Sequence, residues 1–409
     1  MRRRSMAIVL ATIAVDAFGF GISLPLTPEL LGNRASPLYL LSPATPTSTA
    51  YLLIGLLTAT YPMMQFFSTP VLGQLSDRYG RKPVLAVSLA GTAAGYVLFA
   101  IGVGVRSVPL LFASRAIDGL TGGNVSVAHA VIADITPPEE RTKAFGLAMG
   151  TFGAAMILGP VLGGTLADPS VSSWFTAKTP FLVAAALAAL NTVSILLAFA
   201  ETHKPAAAAP IQLVRNLKNL ARAYARPKLR PIFAAQFFVM TGNALFITFF
   251  GVFLIDRFAF SQHQIARFFG YTGALMIFTQ FITLRRMAKR FSEDRVLRVT
   301  MLGTAVTVAA YVVIPSAWWI IPIAPLVSTC NGLSLVNLQG LLSRTAGPEA
   351  QGEVLGIGQS INALAMAFPP LLAGTIATVL APAGIVLAAA LAHVVAWSVF
   401  LALARGRDA

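Results

Sequence analysis

Two stretches of the chain lack any charged side chain, and each is far longer than a single membrane-spanning helix. They cover residues 299–343 and 354–404. A helix crosses the hydrocarbon core with about 20 apolar residues, so each stretch has room for two crossings. A turn signal, at Pro315 and at Pro382, divides each stretch. Only 11% of the residues are charged, against about 25% in a soluble domain, so the sequence excludes a water-soluble fold.

The apolar segments predict an all-α integral membrane protein with about twelve membrane-spanning helices. The first apolar segment runs from Met6 to about Leu26. It is longer than the apolar core of a signal peptide, which has about 7–15 residues, so we interpret it as the first span. We place the spans at 6–27, 49–72, 83–104, 108–133, 144–167, 180–200, 231–255, 266–284, 296–314, 317–342, 353–379 and 383–404.

The basic residues orient these spans. The chain has 30 Lys and Arg against 15 Asp and Glu, a net charge of +15. With both termini in the cytoplasm, most of the basic residues fall in cytoplasmic loops, as the positive-inside rule requires. This asymmetry explains the net charge, so we expect no nucleic-acid partner. The outer loops then hold only Arg34, Arg106, Lys178, Arg257 and Arg267.

An internal repeat indicates two related halves. Residues 136–164 and 346–374 share prolines, glycines and a glutamate at a constant spacing. The repeat predicts six-helix bundles at 1–200 and 231–409, joined by a cytoplasmic linker at 201–230. Such repeats are typical of secondary transporters, whose substrate site lies near the bilayer midplane between the halves. The repeated pairs are Pro138/Pro348, Glu139/Glu349, Gly146/Gly356, Pro160/Pro370 and Gly164/Gly374.

The loop after span 2 reads GQLSDRYGRKPVL. In it Gly73 permits close helix contact, Asp77 accepts hydrogen bonds among positive groups, and Gly80 allows a tight reversal. The loop resembles the signature between spans 2 and 3 of the major facilitator superfamily. That resemblance implies that Gly73, Asp77, Arg78, Gly80 and Arg81 act in conformational switching. The alternative is a basic loop that only sets the topology.

Span 5 contains Gly159, Pro160, Gly163 and Gly164. Small residues with a proline make a kinked and closely packed helix. The segment resembles the antiporter motif of exporters in the superfamily, although Ala155 stands where the family pattern has its first glycine. The resemblance implies a role in conformational switching, whereas ordinary helix packing would use the same residues.

Span 4 resembles the superfamily signature in which an arginine, here Arg115, precedes a glycine-rich face. Asp118 departs from that signature. The sequence around Asp134 is similar to that of 12-helix tetracycline-type drug:proton antiporters, which implies a switch role for this residue. Those exporters carry an acid in span 3 where Gly95 stands here, and another in span 9, whereas 296–314 has none. Tetracycline is therefore a possible but not a favoured substrate.

Ionisable residues inside the membrane are costly and mark functional sites. Asp16 and Asp118 each lie about 15 Å from the beginning of their spans, at 1.5 Å per residue. Both carboxylates and Arg115 are therefore expected at a similar depth in the bilayer. We predict that these three residues couple transport to protons. The alternative for Arg115 and Asp118 is a static ion pair between helices. His129 is expected on the same polar face, or simply in the wet interface.

The second half offers neutral polar side chains and phenylalanines at midplane depth, which suit an amphipathic or planar organic substrate. Most of the phenylalanines are expected to face lipid instead. The predicted substrate-binding residues are Asn124, His129, Gln236, Asn243, Phe246, Asn331, Asn337, Gln339, Gln359 and Asn362.

These features predict a proton-coupled exporter of amphipathic molecules or drugs, working by alternating access. We expect a multi-pass monomer in the bacterial cytoplasmic (inner) membrane, with a small molecule, protons and the lipid bilayer as its partners. The sequence has no phosphate-binding loop for ATP, no clustered metal ligands and a single cysteine, so we expect no cofactor, no metal and no enzymatic activity. The alternatives are a proton-coupled importer or uniporter of a metabolite, a lipid-handling membrane protein, and a non-transporting sensor.

Overall fold

The structure is a computed structural model that describes residues 2–137, 140–203, 218, 221–222, 229–288 and 290–405. Within these residues the chain is helical and contains no strand. Most of the predicted linker, 201–230, lies outside the described residues. The α-helices are α1 (Arg2–Leu31), α2 (Thr47–Tyr79), α3 (Arg81–Gly104), α4 (Val108–Thr121), α5 (Asn124–Ile135), α6 (Arg141–Leu166), α7 (Thr179–Ala198), α8 (Arg230–Phe258), α9 (Gln262–Phe278), α10 (Leu284–Ala288), α11 (Glu293–Val313) and α12 (Ile320–Arg405).

Several helices begin at a proline or contain one. Proline lies in the first turn of α4, α7 and α8. Its missing N–H group costs no hydrogen bond there, because N–H groups of the first turn have no acceptor within the helix. Proline also lies inside α1, α2 and α6. Membrane helices tolerate such interior prolines because neighbouring helices and hydroxyl side chains satisfy the freed carbonyls. A kink at Pro160 in α6 stays a prediction.

Ten helical segments of the described chain are long and apolar enough to cross a membrane. The other two predicted spans are interrupted. Span 4 divides into α4 and α5 at Gly122 and Gly123, and span 8 contains a π-helical turn at Thr279–Thr283. The break in span 4 has a packing reason, because a Cβ atom on Gly123 would lie 2.8 Å from the backbone of Thr69 in α2. The full set of twelve crossings stays a prediction.

The long helical run α12 is not one straight rod. A straight helix of 86 residues would extend about 130 Å. Ala381 has φ 57°, a left-handed conformation that interrupts regular helix. The run also doubles back earlier, because a Cβ atom on Gly358 would lie 3.2 Å from Leu342 Cδ2. Spans 10, 11 and 12 are therefore separate segments of this run.

The chain divides into two compact units, each with its own packing. The first takes in Met1–Ala44, Thr60–Arg215 and Gln262–Gly270, and the second Thr45–Ala59, Asn216–Ser261 and Tyr271–Ala409. The start of α9 thus belongs with the first unit, where Ala266 presses against Gly164 of α6. The start of α2 belongs with the second unit, where Gly55 faces Gly374 of α12. The two repeated glycines therefore play matching packing roles, one in each unit.

The second unit has a continuous apolar core where α8, α11 and α12 meet. Fully buried side chains at its centre include Ile232 of α8 and Leu297 of α11. Leu342, Val354 and Phe400 of α12 fill the space between them. Between membrane helices such side chains stabilise the fold by close van der Waals packing, so this core holds α8 in a fixed orientation. That orientation positions the polar residues of α8 described below.

Candidate functional site

Three charged residues are buried together in the first unit. Asp16 of α1 and Arg115 and Asp118 of α4 are each less than 5% exposed. The Asp16 carboxylate interacts electrostatically with both of the other side chains. Two carboxylates and one guanidinium leave an excess negative charge if all are ionised, and a single bound proton removes that excess. A group of this composition is suited to binding and releasing a proton.

Two residues of α2 complete the surroundings of Asp16. The Tyr61 hydroxyl donates a hydrogen bond to Asp16 Oδ2 at 3.0 Å. The Gln65 amide donates to the Tyr61 hydroxyl at 3.0 Å and to the Gly122 carbonyl at 2.8 Å. Gln65 therefore ties α2 to the break between α4 and α5. No sequence pattern distinguishes Tyr61 or Gln65, because neutral polar residues are common in membrane helices.

The guanidinium of Arg115 has several compensating contacts. Its Nη1 atom lies 3.3 Å from Asp118 Oδ2, a contact one helical turn apart on α4. The same atom donates to the Ser23 hydroxyl at 3.3 Å. The guanidinium carbon also lies 4.8 Å from the ring centre of Phe99 and 5.6 Å from that of Tyr96, within the range of cation–π attraction. A buried cation is thus held by one carboxylate, one hydroxyl and two aromatic rings.

Some buried polar atoms of this cluster make no hydrogen bond within the described part of the chain. They include Asp16 Oδ1 and both amide atoms of Asn124, the first residue of α5. Asn124 is fully buried. An unpaired buried polar group costs about 1–3 kcal/mol, and such groups call for a functional explanation. Asp16 Oδ1 in particular is an acceptor ready for a proton or for a donor group.

The glycines of the predicted antiporter motif pack α6 against the helix that bears Asp16. A Cβ atom on Gly159 would lie 2.8 Å from Gly21 Cα and from the Phe18 carbonyl. One on Gly163 would lie 3.0 Å from Ile22 Cα. Real Cβ atoms do not approach backbone this closely, so this helix crossing requires glycine. The backbones of α1 and α6 therefore touch two residues beyond the buried aspartate.

The end of the first unit that is predicted to face the cytoplasm carries an ion-pair network. Arg81 Nη1 contacts Asp77 Oδ1 at 2.6 Å, and Arg81 Nε contacts Asp134 Oδ2 at 3.2 Å. Arg81 Nη1 also donates to the Ser76 hydroxyl at 2.5 Å. The network joins α2, α3 and α5. Three of the predicted switch residues, Asp77, Arg81 and Asp134, therefore meet at one place.

The other predicted switch residues of this loop have different surroundings. Gly80 has φ 98°, a conformation that favours glycine, and it forms the reversal between α2 and α3. Arg78 is exposed, with its guanidinium 5.3 Å from the ring centre of Tyr79. A Cβ atom on Gly73 would meet only Ser126 Oγ, at 3.7 Å. Packing therefore demands glycine at position 80 but not at position 73.

Glu201, just after α7, is a residue of this region that the sequence did not suggest. Its Oε1 accepts hydrogen bonds from the backbone N–H groups of Arg81 at 2.8 Å, Thr202 at 2.9 Å and His203 at 3.1 Å. Its Oε2 accepts one from Lys82 at 3.0 Å. Partial burial acts to raise the pKa of Glu201, but these backbone donors outweigh it and hold the pKa below its ordinary value. Contacts between residues so far apart in the chain leave no local sequence signal.

In the second unit the structure joins two of the predicted substrate residues. The Gln236 amide of α8 donates to Asn362 Oδ1 at 2.8 Å and to the Gly358 carbonyl at 3.3 Å. Phe246, also on α8, stacks on Phe250 with ring centres 4.3 Å apart. Gln236 is buried, whereas Asn362 and Phe246 are partly exposed. Helix α8 therefore carries an amide pair at Gln236 and an aromatic surface at Phe246, about 15 Å apart along the helix.

The remaining predicted substrate residues lie in varied surroundings. Asn337 is buried and donates to the Leu333 carbonyl of its own helix at 2.8 Å, and Gln359 is exposed. His129 lies half-buried, 5.8 Å from the ring centre of Phe145. The half-buried residues that complete the set are Asn243, Asn331 and Gln339.

The comparisons with known proteins agree with this architecture. The tetracycline resistance protein of class H from Pasteurella multocida is 31% identical, over 90% of this chain and 88% of its own. The class E protein from Escherichia coli is 32% identical, over 90% and 86%.

The solved structure of a bacterial homologue of the human lysosomal transporter Spinster, inward-facing and unoccupied, has a TM-score of 0.78 at 14% identity. It covers 99% of this chain and 97% of its own. The family model of the Major Facilitator Superfamily matches residues 6–370 of this chain. These findings confirm the resemblance inferred from the motifs. The chain is a multi-pass membrane transporter and belongs to the Major Facilitator Superfamily.

Proposed function

We propose that the protein is a proton-driven antiporter that exports amphipathic small organic molecules, including drugs, by alternating access. In this proposal it works as a monomer in the bacterial cytoplasmic membrane. Its chain makes twelve crossings with both termini in the cytoplasm. The bundles at 1–200 and 231–409 are its two moving halves. Family membership supports transport of a small molecule, and the names of the two tetracycline resistance relatives support export of drugs.

The observation that carries the proposal is the buried acceptor on Asp16. Its Oδ2 is held by Tyr61, whereas its Oδ1 is buried without a hydrogen bond in the described chain. A proton bound there neutralises the excess charge of the cluster with Arg115 and Asp118. A cationic or hydrogen-bond-donating group of a substrate would use the same acceptor. Competition for one carboxylate makes binding of the proton and binding of the substrate mutually exclusive, which is the requirement for antiport.

The cycle follows from that competition. In the state open to the outside, protonation of Asp16 or Asp118 weakens substrate binding and releases the substrate outward. In the state open to the cytoplasm, loss of the proton restores substrate affinity. Arg115 stabilises the deprotonated carboxylates by its charge, so the proton can leave. No cofactor takes part, because the proton gradient supplies the free energy.

The second half supplies the proposed apolar part of the substrate site. Phe246 offers a ring face for a planar or apolar group, and the pair of Gln236 and Asn362 offers amide atoms about 15 Å away along α8. Such a combination suits an amphipathic molecule, because a few polar groups fix its orientation within an apolar surface. Asn124 is the corresponding amide proposed in the first half. Loss of the acids at position 95 and in span 9 favours a broader substrate class than tetracycline alone.

The remaining proposed roles belong to the conformational change. Asp77, Arg81 and Asp134 would hold the cytoplasmic ends of α2, α3 and α5 together in one state and separate in the other. Gly159 and Gly163 would let α6 slide against α1 without side chains in the way. Both roles use small free-energy differences between two packings, which is how transporters switch.

The test is accumulation of ethidium and of tetracycline in inverted membrane vesicles with an imposed pH gradient, acidic inside. The protein should drive uptake that collapses when an ionophore removes the gradient. Asp16→Asn should abolish uptake while leaving the amount of protein in the membrane unchanged. Asp256→Asn is the matched control, since Asp256 is exposed at the end of α8, and should transport normally. Uptake by Asp16→Asn equal to that of the parent protein would refute the coupling role.

The same vesicles distinguish export from import. An exporter accumulates the probe in inverted vesicles that are acidic inside, whereas a proton-coupled importer expels the probe or leaves it outside. A uniporter equilibrates the probe without regard to the gradient. Flux in either of these other patterns would replace the proposal with the corresponding alternative.

A further inference from the structure

We propose that Glu201 is a positioning residue of the transport cycle, which caps α3 and thereby holds Arg81 between Asp77 and Asp134. The inference rests on the proposed alternating-access function. It adds a residue outside the motif that the sequence singled out, at the beginning of the linker between the halves. Its basis is the set of contacts made by the carboxylate of Glu201 and by its neighbour Thr202.

The start of α3 lacks a cap of its own. The residue before the helix is Gly80, which has no side chain to accept hydrogen bonds from the first free N–H groups. Helix N-termini need such acceptors and favour negative charge. Glu201 supplies both, because one oxygen accepts from Arg81 N and the other from Lys82 N. The cap of α3 therefore comes from the end of α7.

Gly80 and Glu201 fit each other. A Cβ atom on Gly80 would lie 2.5 Å from Glu201 Oε2 and 3.0 Å from its carboxyl carbon. The absence of a side chain at position 80 thus makes room for the carboxylate, in addition to allowing φ 98°. The glycine of the loop motif is explained in part by a residue at the far end of the first half.

The segment that begins the linker holds the ion-pair network at two points. Glu201 fixes the backbone of Arg81, and the Thr202 hydroxyl donates to Asp134 Oδ2 at 3.3 Å. Arg81 reaches Asp77 and Asp134 from a backbone that this segment has fixed. The guanidinium is almost fully buried, so a small displacement of its backbone would cost it both partners.

This geometry predicts an effect on turnover and not on affinity. Glu201 lies at the cytoplasmic end of α7 and makes no contact with Asp16 or with the amides of α8 in the described chain. If the network with Arg81 must open and close once in each cycle, loss of the cap changes the rates of those steps. The substrate site itself stays intact, so KM should hold while the maximal rate falls.

The experiment uses the full-length protein in proteoliposomes, with ethidium as the probe and an imposed pH gradient. Glu201→Ala should lower the maximal rate about tenfold and change KM by less than about twofold, because the cap of α3 and the ion pairs of Arg81 are lost together. Glu201→Asp should recover part of the rate. Glu140→Gln is the matched control, because Glu140 is a cytoplasmic-side glutamate that pairs with Arg2 outside the network.

Two further measurements separate positioning from general stability. The double variant Glu201→Ala/Arg81→Gln should be no slower than Arg81→Gln alone, because both changes disable one network. Hydrogen exchange in lipid nanodiscs should show faster exchange at 77–82 and at 133–136 in Glu201→Ala and in Arg81→Gln, and unchanged exchange in α8. If Glu201→Ala fails to insert, Glu201→Gln is measured in its place, since it retains one acceptor oxygen.

The outcomes are distinct from those that test the proposed function. Normal turnover by Glu201→Ala in a protein that transports ethidium would overturn the inference and leave the proposed function standing. Multiplicative losses in the double variant would also overturn it, because they would indicate independent roles. If the parent protein moves no probe, the proposed function fails, and the exchange pattern alone then decides whether Glu201 positions the Arg81 network.

Discussion

At the residue scale, the site is defined by which buried charges have partners. Arg115 and Asp118 lie in contact as an ion pair. Asp16 Oδ1 and both Asp118 oxygens make no hydrogen bond among the described residues. A chain with so few charged residues in its spans makes these three conspicuous in the sequence. The sequence does not reveal Tyr61, which provides the hydrogen bond to Asp16, because a tyrosine in a membrane helix carries no distinguishing pattern.

Tyr61→Phe removes the one hydroxyl that donates to Asp16. A hydrogen bond to a charged group contributes about 1.5–3 kcal/mol, so we expect gradient-driven ethidium transport to fall about tenfold or more. Tyr79→Phe, an exposed tyrosine at the end of the same helix, should transport at the parent rate. Equal rates for Tyr61→Phe and Tyr79→Phe would show that the hydroxyl plays no part in coupling.

A second prediction separates coupling from a static ion pair at Arg115 and Asp118. Asp118→Asn leaves a buried guanidinium without its carboxylate, and breaking a buried pair costs about 3–5 kcal/mol. The melting temperature in detergent should therefore drop. Removing both charges, in Arg115→Gln/Asp118→Asn, should restore most of the stability.

Transport is the deciding readout for that pair. If the pair takes part in coupling, the double variant melts near the parent temperature yet does not accumulate ethidium against the gradient. A double variant that transports at the parent rate would assign the pair a purely structural role. Loss of protein from the membrane in both variants would itself indicate that the charges are needed for folding.

At the element scale, close helix contacts are made by glycines. Both the α1–α6 crossing and the break between α4 and α5 leave no room for a Cβ atom. The sequence identified Gly159 and Gly163 through a motif, but predicted span 4 as unbroken although Gly122 and Gly123 are visible in it. A glycine pair in a membrane helix is compatible with a continuous helix, and only the neighbouring α2 decides that it breaks here.

Gly159→Val tests the α1–α6 crossing. A valine side chain would meet the backbone of Gly21 and Phe18 at distances that force the helices apart, and overpacking of this kind costs about 1–3 kcal/mol. We expect transport to fall about tenfold with the protein still present in the membrane. Gly153→Val on the same helix is the control, since nothing lies within 4 Å of a Cβ atom there. Similar losses in both variants would contradict a specific role for the crossing.

At the scale of the whole molecule, the charge distribution and the packing describe the chain in different ways. The positive-inside rule predicted the topology, and the repeat predicted equal halves. The compact units instead exchange the first parts of α2 and α9, because Gly55 and Gly374 approach closely in one unit and Ala266 meets Gly164 in the other. Hydropathy carries no information about which helices pack together, since every membrane-spanning helix is similarly apolar.

Labelling from one side of the membrane tests the predicted topology directly. In a background with Cys330→Ser, Trp174→Cys lies in the predicted outer loop between α6 and α7, where the tryptophan is 86% exposed. Arg290→Cys lies in the predicted cytoplasmic loop before α11. A membrane-impermeant maleimide should label position 174 in intact cells and position 290 only after permeabilisation. Because the excess of basic residues in cytoplasmic loops sets the orientation of the whole chain, we expect the predicted labelling at both positions or at neither. Labelling of position 290 in intact cells would place the basic loops outside and reverse the predicted direction of transport.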